Sequence, residues 1–192
     1  MEKRIFLTGQ QGSGKSRLIR EALGGRLAGA GGFVTCAMPG ENGYAVGYAL
    51  QPAAAAGGAE GLESRLFLDC RVWPPRHDNE VFRGFGVRLL QEAAYYPFAV
   101  VDEIGGYETL IPQFAQALET LLQSDLPLIG ALKTPEEAEQ WRQLFGLGER
   151  LTQRVGALHA ALRAESDTRI IDLRETPEAE ALALLRSWAE RL

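Results

Sequence analysis

The residues with the clearest chemical purpose lie at positions 9–16, which read GQQGSGKS. Their spacing matches the phosphate-binding loop pattern G-x-x-x-x-G-K-[ST]. In such a loop the backbone N–H groups point at an anion, the lysine reaches the β- and γ-phosphates, and the hydroxyl contributes to a Mg²⁺ site. With 22 glycines among 192 residues, about 0.003 accidental matches are expected in a chain of this composition. The loop therefore predicts that the chain binds a nucleoside phosphate.

The predicted nucleotide contacts comprise this loop and the residue after it. They are Gly9, Gln10, Gln11, Gly12, Ser13, Gly14, Lys15, Ser16 and Arg17. Lys15 is also predicted to be catalytic because its ammonium group would hold the β- and γ-phosphate oxygens. Ser16 is also predicted to be a Mg²⁺ ligand. The bound group is expected to be ATP or another nucleoside triphosphate with Mg²⁺.

A pair of acids, Asp102 and Glu103, follows the apolar run FAVV at positions 98–101. A carboxylate at the end of a buried strand beside the loop can hold a water of the Mg²⁺ shell, so Asp102 is predicted to be a metal-site residue. Glu103 is then placed to orient or deprotonate an attacking water and is the second predicted catalytic residue. The alternative is two solvated acids that cap a strand. The pair favours hydrolysis by water over transfer to a large acceptor.

Four further positions have weaker signals. Lys133 ends an apolar strand and either faces the γ-phosphate or is a solvated lysine before Thr134. His77 and His159 have no metal-ligand spacing with each other or with the two cysteines, which argues against zinc. Trp141 lies on a helix with apolar companions, and we expect it to pack in the interior.

The hydrophobic pattern of the sequence predicts strands and helices that alternate along the chain. Strands are predicted at 3–8, 65–70, 98–101, 126–132 and 169–173, and helices at 15–23, 82–93, 111–122, 151–164, after the Thr134 capping box and after Pro177. A β-hairpin is predicted at 32–50, and 52–61 is expected to be a loose surface loop. Alternation of this kind implies an α/β fold with a largely parallel sheet covered on both faces, to which the hairpin adds antiparallel strands.

Several blocks together resemble a known family. They are the loop at 9–16, GFVT at 32–35, and VDEIGGYE at 101–108 with Phe114 downstream. Over residues 3–133 their order and spacing are similar to the small P-loop nucleoside-triphosphatases of the cancer-related type. The resemblance implies a three-layer, RecA-like P-loop domain. It also implies slow, Mg²⁺-dependent hydrolysis of ATP, GTP and other nucleoside triphosphates with little base preference.

The chain departs from that family pattern in three places. The run CAMP at 36–39 replaces the acidic residues and arginine that usually follow GF-x-T, and Tyr107 replaces a methionine. The Asn-Arg pair usual near the carboxyl terminus has no clear equivalent, and Arg174 is the nearest candidate. Glu108 matches the family block, although an exposed carboxylate after a turn would have the same sequence.

Composition bounds the remaining possibilities. The length of 192 residues predicts one P-loop NTPase domain over 1–192, and 46% hydrophobic with 23% charged residues excludes wholesale disorder. A net charge of −5 argues against a broad nucleic-acid-binding face. We find neither an apolar run of membrane-spanning length nor a signal-peptide core, so a cytoplasmic location without membrane contact is expected. The sequence offers nothing on a protein partner.

Two other functions stay open on the residues alone. A small nucleotide or metabolite kinase would need an acceptor pocket, for which the space under the hairpin at 32–50 and the loop at 51–64 is the candidate, and we see no arginine-rich lid of the kind that nucleotide kinases use. A nucleotide-gated switch would use hydrolysis to reset binding to an unknown partner. A base-specific GTPase and an ABC-type ATPase find no support, since the Asn-Lys-x-Asp and LSGGQ motifs are missing from the sequence.

Overall fold

The computed structural model describes residues 2–41 and 43–192. Within them, eight strands form one sheet in the order β5-β4-β3-β2-β6-β7-β1-β8. In chain order the strands are β1 (Arg4–Thr8), β2 (Gly31–Pro39), β3 (Ala45–Pro52), β4 (Arg65–Asp69), β5 (Arg76–His77), β6 (Ala99–Ile104), β7 (Leu128–Leu132) and β8 (Thr168–Asp172).

The helices connect these strands. They are α1 (Lys15–Leu23), α2 (Ala53–Ala56), α3 (Val87–Glu92), α4 (Pro112–Gln123), α5 (Pro135–Leu144), α6 (Arg150–Ala164) and α7 (Glu178–Ala189). A π-helical turn at Val81–Gly86 leads into α3, and 3₁₀ turns cover Gly24–Gly29, Ala93–Tyr95 and Tyr107–Leu110. Among the described residues, none of the helices is both long enough and apolar enough to cross a membrane.

The sheet is parallel where it carries the predicted site. Strands β2, β6, β7, β1 and β8 run in the same direction, as the alternation of elements predicts. Side chains on a strand alternate between faces, so Phe6 packs with α3 and α4 while Ile5 and Leu7 pack with α1 and α7. Both faces of the sheet are therefore covered, and the predicted three-layer α/β architecture is confirmed.

The antiparallel part is larger than the sequence predicts. The hairpin of β2 and β3 is confirmed, and β4 and β5 extend it outward as further antiparallel strands. The expectation of a loose loop at 52–61 is wrong at its start, because α2 forms there and buries Ala53 completely. A Cβ on Gly57 would lie 2.2 Å from the backbone nitrogen of Ala28, so the segment packs closely on the neighbouring turn. Small side chains, which look like loop composition in the sequence, permit this close approach.

Candidate active site

The phosphate-binding loop connects β1 to α1 at the carboxyl edge of the parallel strands. Gly12 and Gly14 have φ angles of 78° and 88°, a left-handed conformation that a Cβ would strain. The Ser13 N–H donates to the Gln10 carbonyl at 3.1 Å, and the Leu18 N–H donates to the Gly14 carbonyl at 2.9 Å. The chain thus enters α1 directly from the loop, where the N–H groups of the first turn have no carbonyl partner within the helix. This is the arrangement that binds phosphate.

The Lys15 side chain is buried against the loop. Its Nζ donates to the carbonyl oxygens of Gly9 at 2.6 Å and Gln10 at 3.0 Å. A carboxylate oxygen of Glu137, Oε1, lies 3.8 Å from the same nitrogen. Burial lowers the pKa of Lys15, and the carboxylate of Glu137 opposes that shift. Lys15 is therefore held at the loop by backbone oxygens and by one buried acid.

Ser16 and Asp102 are brought together from positions 86 residues apart. The Ser16 hydroxyl donates to Asp102 Oδ1 at 2.7 Å. Burial and the charge of Glu103 raise the pKa of Asp102 to about 6, while hydrogen bonds from the Ser16 hydroxyl and the Thr35 backbone N–H oppose the rise. A hydroxyl and a carboxylate are hard oxygen donors of the kind that Mg²⁺ prefers. The pair therefore fits the predicted metal site.

Glu103 owes its direction to an irregularity in β6. The pairing of β6 with β7 shifts between Val101 and Ile104, so the two acids lie in a bulge. Glu103 has a φ of 59°, unusual for a residue with a side chain. Its carboxylate Oε2 accepts from the Thr35 hydroxyl at 3.4 Å. The bulge therefore sends two adjacent acids into different surroundings, with Asp102 buried against the loop and Glu103 partly exposed.

Glu108 is buried, which excludes the reading of an exposed carboxylate. One of its oxygens accepts the backbone N–H groups of Gly105 at 2.9 Å and Gly106 at 2.7 Å. Burial raises the pKa of Glu108, and the Gly106 N–H and the charge of Lys133 oppose that rise. Glu108 thus fixes the turn that follows the two acids.

The capping box predicted at Thr134 forms and reaches the site. Thr134 N–H donates to Glu137 Oε2 at 2.8 Å, and Glu137 N–H donates to Thr134 Oγ1 at 3.0 Å. The same carboxylate faces Lys15 with its other oxygen. The sequence identifies Glu137 only as a helix cap, because its contact with the loop depends on how α5 packs beside β1.

Three other predicted nucleotide contacts lie at the rim. Gln10 and Gln11 are exposed at the top of the loop. Arg17 has a side chain 51% exposed and pairs with Glu178 at 2.6 Å, so it lies on the outer side of α1, and its contact with a nucleotide stays a prediction. Arg174 pairs with Asp172 at 2.6 Å across a short turn after β8.

A pocket with aromatic walls adjoins Glu103 and Lys133. Its aromatic lining residues are Phe33, Tyr48, Phe67, Phe82, Tyr107 and Trp141. Trp141, a residue of α5, thus lines this pocket. The sequence predicts only its packing in the interior. The only signal for its place in the pocket was its spacing of eight residues from Lys133. Within residues 2–41 and 43–192 we find no group of three or more His, Cys, Asp or Glu that would hold a metal.

The chain matches a family model described as NTPase over residues 4–153. It is 31% identical over 133 residues to nucleoside-triphosphatase THEP1 from Thermotoga sp. strain RQ2, covering 68% of this chain and 74% of that protein. The proteins of the same name from Thermotoga petrophila and Thermotoga maritima are each 32% identical over 133 residues, or 68% of this chain. The match covers 72% of the former and 74% of the latter.

The fold is similar to a solved structure as well. The crystal structure of THEP1 from the hyperthermophile Aquifex aeolicus superposes with a TM-score of 0.59 at 16% sequence identity, covering 95% of this chain and 98% of that one. At this identity the likeness concerns the fold alone. It covers the region beyond residue 153, which the family model does not reach.

Proposed function

The chain belongs to the NTPase family and is a nucleoside-triphosphatase, and we propose that it hydrolyses ATP, GTP and other nucleoside 5′-triphosphates to the diphosphate and inorganic phosphate. The observation that carries this proposal is the 2.7 Å hydrogen bond between Ser16 and Asp102. Through this bond the end of the phosphate loop contacts a buried carboxylate. Lys15 and Glu103 are the sequence neighbours of Ser16 and Asp102, respectively. Slow turnover and weak base preference belong to the same proposal.

In the proposed reaction the triphosphate lies along residues 9–16, and Lys15 holds the β- and γ-phosphate oxygens. Ser16 and Asp102 would hold Mg²⁺, which neutralises phosphate charge when bound. The oxygen of a water attacks the γ-phosphorus and gives a proton to the Glu103 carboxylate. The bond from the γ-phosphorus to the bridging oxygen breaks, and the nucleoside diphosphate leaves with that oxygen and its electron pair.

Partly exposed Glu103 supports water as the acceptor. Its side chain is 33% exposed, so water reaches it, and Thr35 and Lys133 both contact its oxygen Oε2. In the described part of the chain, no specific observation favours the kinase or the switch. We also propose that residues 1–192 act as one P-loop domain, which the single sheet supports. A cytoplasmic location remains a prediction.

The test measures phosphate release with Mg²⁺ and each of ATP, GTP, CTP and UTP, beside a blank containing EDTA. We expect metal-dependent release from several nucleotides. Glu103→Gln should lower kcat by about 10²-fold or more while nucleotide binding persists, because the amide cannot take the proton. Glu119→Gln, an exposed acid on α4, is the matched control and should leave the rate unchanged.

Two results would contradict the proposal, the first its reaction and the second only the role given to Glu103. One is tight nucleotide binding by the wild-type protein with no phosphate release from any of the four triphosphates. The other is an unchanged kcat in Glu103→Gln, which would remove this residue from the reaction although hydrolysis itself would stand.

A further inference from the structure

Lys133 lies beside the bulge that carries the two acids. It directly follows β7, and its backbone N–H donates to the Ile104 carbonyl at 2.9 Å. This hydrogen bond resumes the strand pairing just after the bulge, so Lys133 is fixed next to the segment that the bulge displaces. Its Nζ lies 3.7 Å from Oε2 of Glu103, with side chains 15% and 33% exposed respectively.

Two other elements restrain Lys133. Its Nζ lies 5.0 Å from the centroid of the Trp141 ring on α5, within the range of a cation–π interaction. His159 is a buried residue of α6, and its Nε2 lies 2.8 Å from the Lys133 carbonyl oxygen. Since that oxygen only accepts, the ring donates there. The lysine is therefore held at its backbone by α6 and at its ammonium group by α5.

Glu103 needs such a partner because its local environment does not favour one orientation. Its backbone is in a strained conformation, the neighbouring carboxylate of Asp102 repels it, and its contact with the Thr35 hydroxyl is long at 3.4 Å. The Lys133 ammonium group faces the carboxylate oxygen that also contacts Thr35, where it offsets the repulsion and limits where the carboxylate can point. Half-buried charge pairs are screened less than surface pairs, so this contact counts for more than a surface salt bridge.

We propose that Lys133 is a positioning residue for hydrolysis: its backbone is anchored by His159, its ammonium group is restrained by Trp141, and that group holds the Glu103 carboxylate where it accepts the proton of the attacking water. This inference rests on the proposed function. It differs from the first sequence-based hypothesis, in which Lys133 faces the γ-phosphate. In this proposal Lys15 contacts the phosphates, whereas Lys133 contacts the base, Glu103.

The experiment compares steady-state hydrolysis by Lys133→Met and Lys133→Arg with the wild type. We expect Lys133→Met to lower kcat by about 10- to 100-fold with KM within about threefold, since the contact acts on the chemical step. Lys133→Arg keeps the positive charge, so its decrease in log kcat should be at most half of the decrease in Lys133→Met. Lys3→Met is the matched control, because Lys3 pairs with the exposed Asp125, and its kcat should equal that of the wild type.

Binding of a non-hydrolysable triphosphate analogue and of the diphosphate, both with Mg²⁺, separates positioning from phosphate contact. We expect Lys133→Met to bind both as the wild type does. A selective loss of triphosphate affinity would place Lys133 on the γ-phosphate and overturn the inference. An unchanged kcat in Lys133→Met, or equal loss in Lys133→Met and Lys133→Arg, would overturn it as well.

The tryptophan supplies an independent variant. Trp141→Phe keeps an aromatic face under the ammonium group and should stay within about twofold of the wild-type kcat, whereas Trp141→Leu should lose about three- to tenfold. Failure of the inference is distinguishable from failure of the proposed function. If the wild type hydrolyses and Glu103→Gln does not, a normal Lys133→Met contradicts this inference alone. No release by the wild type contradicts the function.

Discussion

Asp102 and Glu103 are neighbours in sequence with different surroundings in the fold. Asp102 is 2% exposed and accepts from the Ser16 hydroxyl, whereas Glu103 is partly exposed beside a lysine. A buried carboxylate favours its neutral form, and the pKa of Asp102 is accordingly raised to about 6. Two identical functional groups thus lie in different surroundings, which supports the different roles proposed for them, one at a metal and one with a proton.

The raised pKa predicts how stability depends on pH in the absence of metal. The folded state binds the Asp102 proton more tightly than the unfolded state, whose pKa is near 3.8, so stability falls as pH rises from about 4 to about 6. Asp102→Asn removes the charge. With EDTA present, we expect it to stabilise the protein by about 2 kcal/mol at pH 8 and by little at pH 4. Urea unfolding at the two pH values measures this.

The control is Asp69→Asn. An arginine, Arg71, lowers the pKa of Asp69 to about 2, so neutralising this partly buried acid should stabilise the protein at neither pH. Equal stabilisation by Asp102→Asn at pH 4 and pH 8 would show that shape, and not buried charge, is responsible.

At the scale of elements, the bulge in β6 is the feature on which the site depends. Without it, strict alternation would send Asp102 and Glu103 to opposite faces of the sheet. The shift between Val101 and Ile104 and the φ of 59° at Glu103 keep both on the site side. Positive φ at a non-glycine residue costs of order 1 kcal/mol, and such strain is common at functional sites.

This strain predicts that replacing Glu103 with glycine costs less stability than replacing it with alanine. Glu103→Gly and Glu103→Ala both remove the carboxylate, and both should lose hydrolysis. Glycine adopts positive φ freely, so we expect Glu103→Gly to be more stable than Glu103→Ala by about 1 kcal/mol, the reverse of the usual order in a strand. Thermal or urea unfolding of the two variants measures the difference. A Glu103→Ala protein that is the more stable of the two would show that the bulge relaxes when the side chain is lost.

In the molecule as a whole, the residues of the site lie together at one edge of the sheet. Parallel strands end on the same side, so the loop after β1, the last residues of β6 and the residue after β7 meet there although they are distant in sequence. Helices α5 and α6 complete the site from outside the sheet through Glu137 and His159. A nucleotide bound at this edge would join elements from the first and last thirds of the described chain.

Nucleotide binding should therefore stabilise the fold as a whole. A ligand that binds only the folded state at 100 times its Kd adds about 2.7 kcal/mol. We expect a non-hydrolysable triphosphate with Mg²⁺ to raise Tm by roughly 5–10 °C, and EDTA to remove much of the rise. Lys15→Ala should show almost no rise, since the buried ammonium group is lost. A full rise in Lys15→Ala would mean that the nucleotide binds elsewhere.

The local parts of this protein follow from its amino-acid sequence alone. The glycine spacing of residues 9–16 fixes a loop conformation, the Thr134 capping box starts α5, and the order of strands and helices gives the parallel α/β sheet. Each depends on neighbours along the chain or on a regular period, which one sequence displays. The family resemblance was readable for the same reason, since it lies in short blocks.

Which distant residues meet depends on the three-dimensional packing of the chain. Glu137 contacts Lys15, Lys133 contacts Glu103, and His159 supports Lys133. These contacts depend on the register of β6 against β7 and on how α5 and α6 pack. Burial likewise separates the roles of Asp102 and Glu103, because the free energy of a charge depends on everything around it in space. No local pattern in the sequence carries that information.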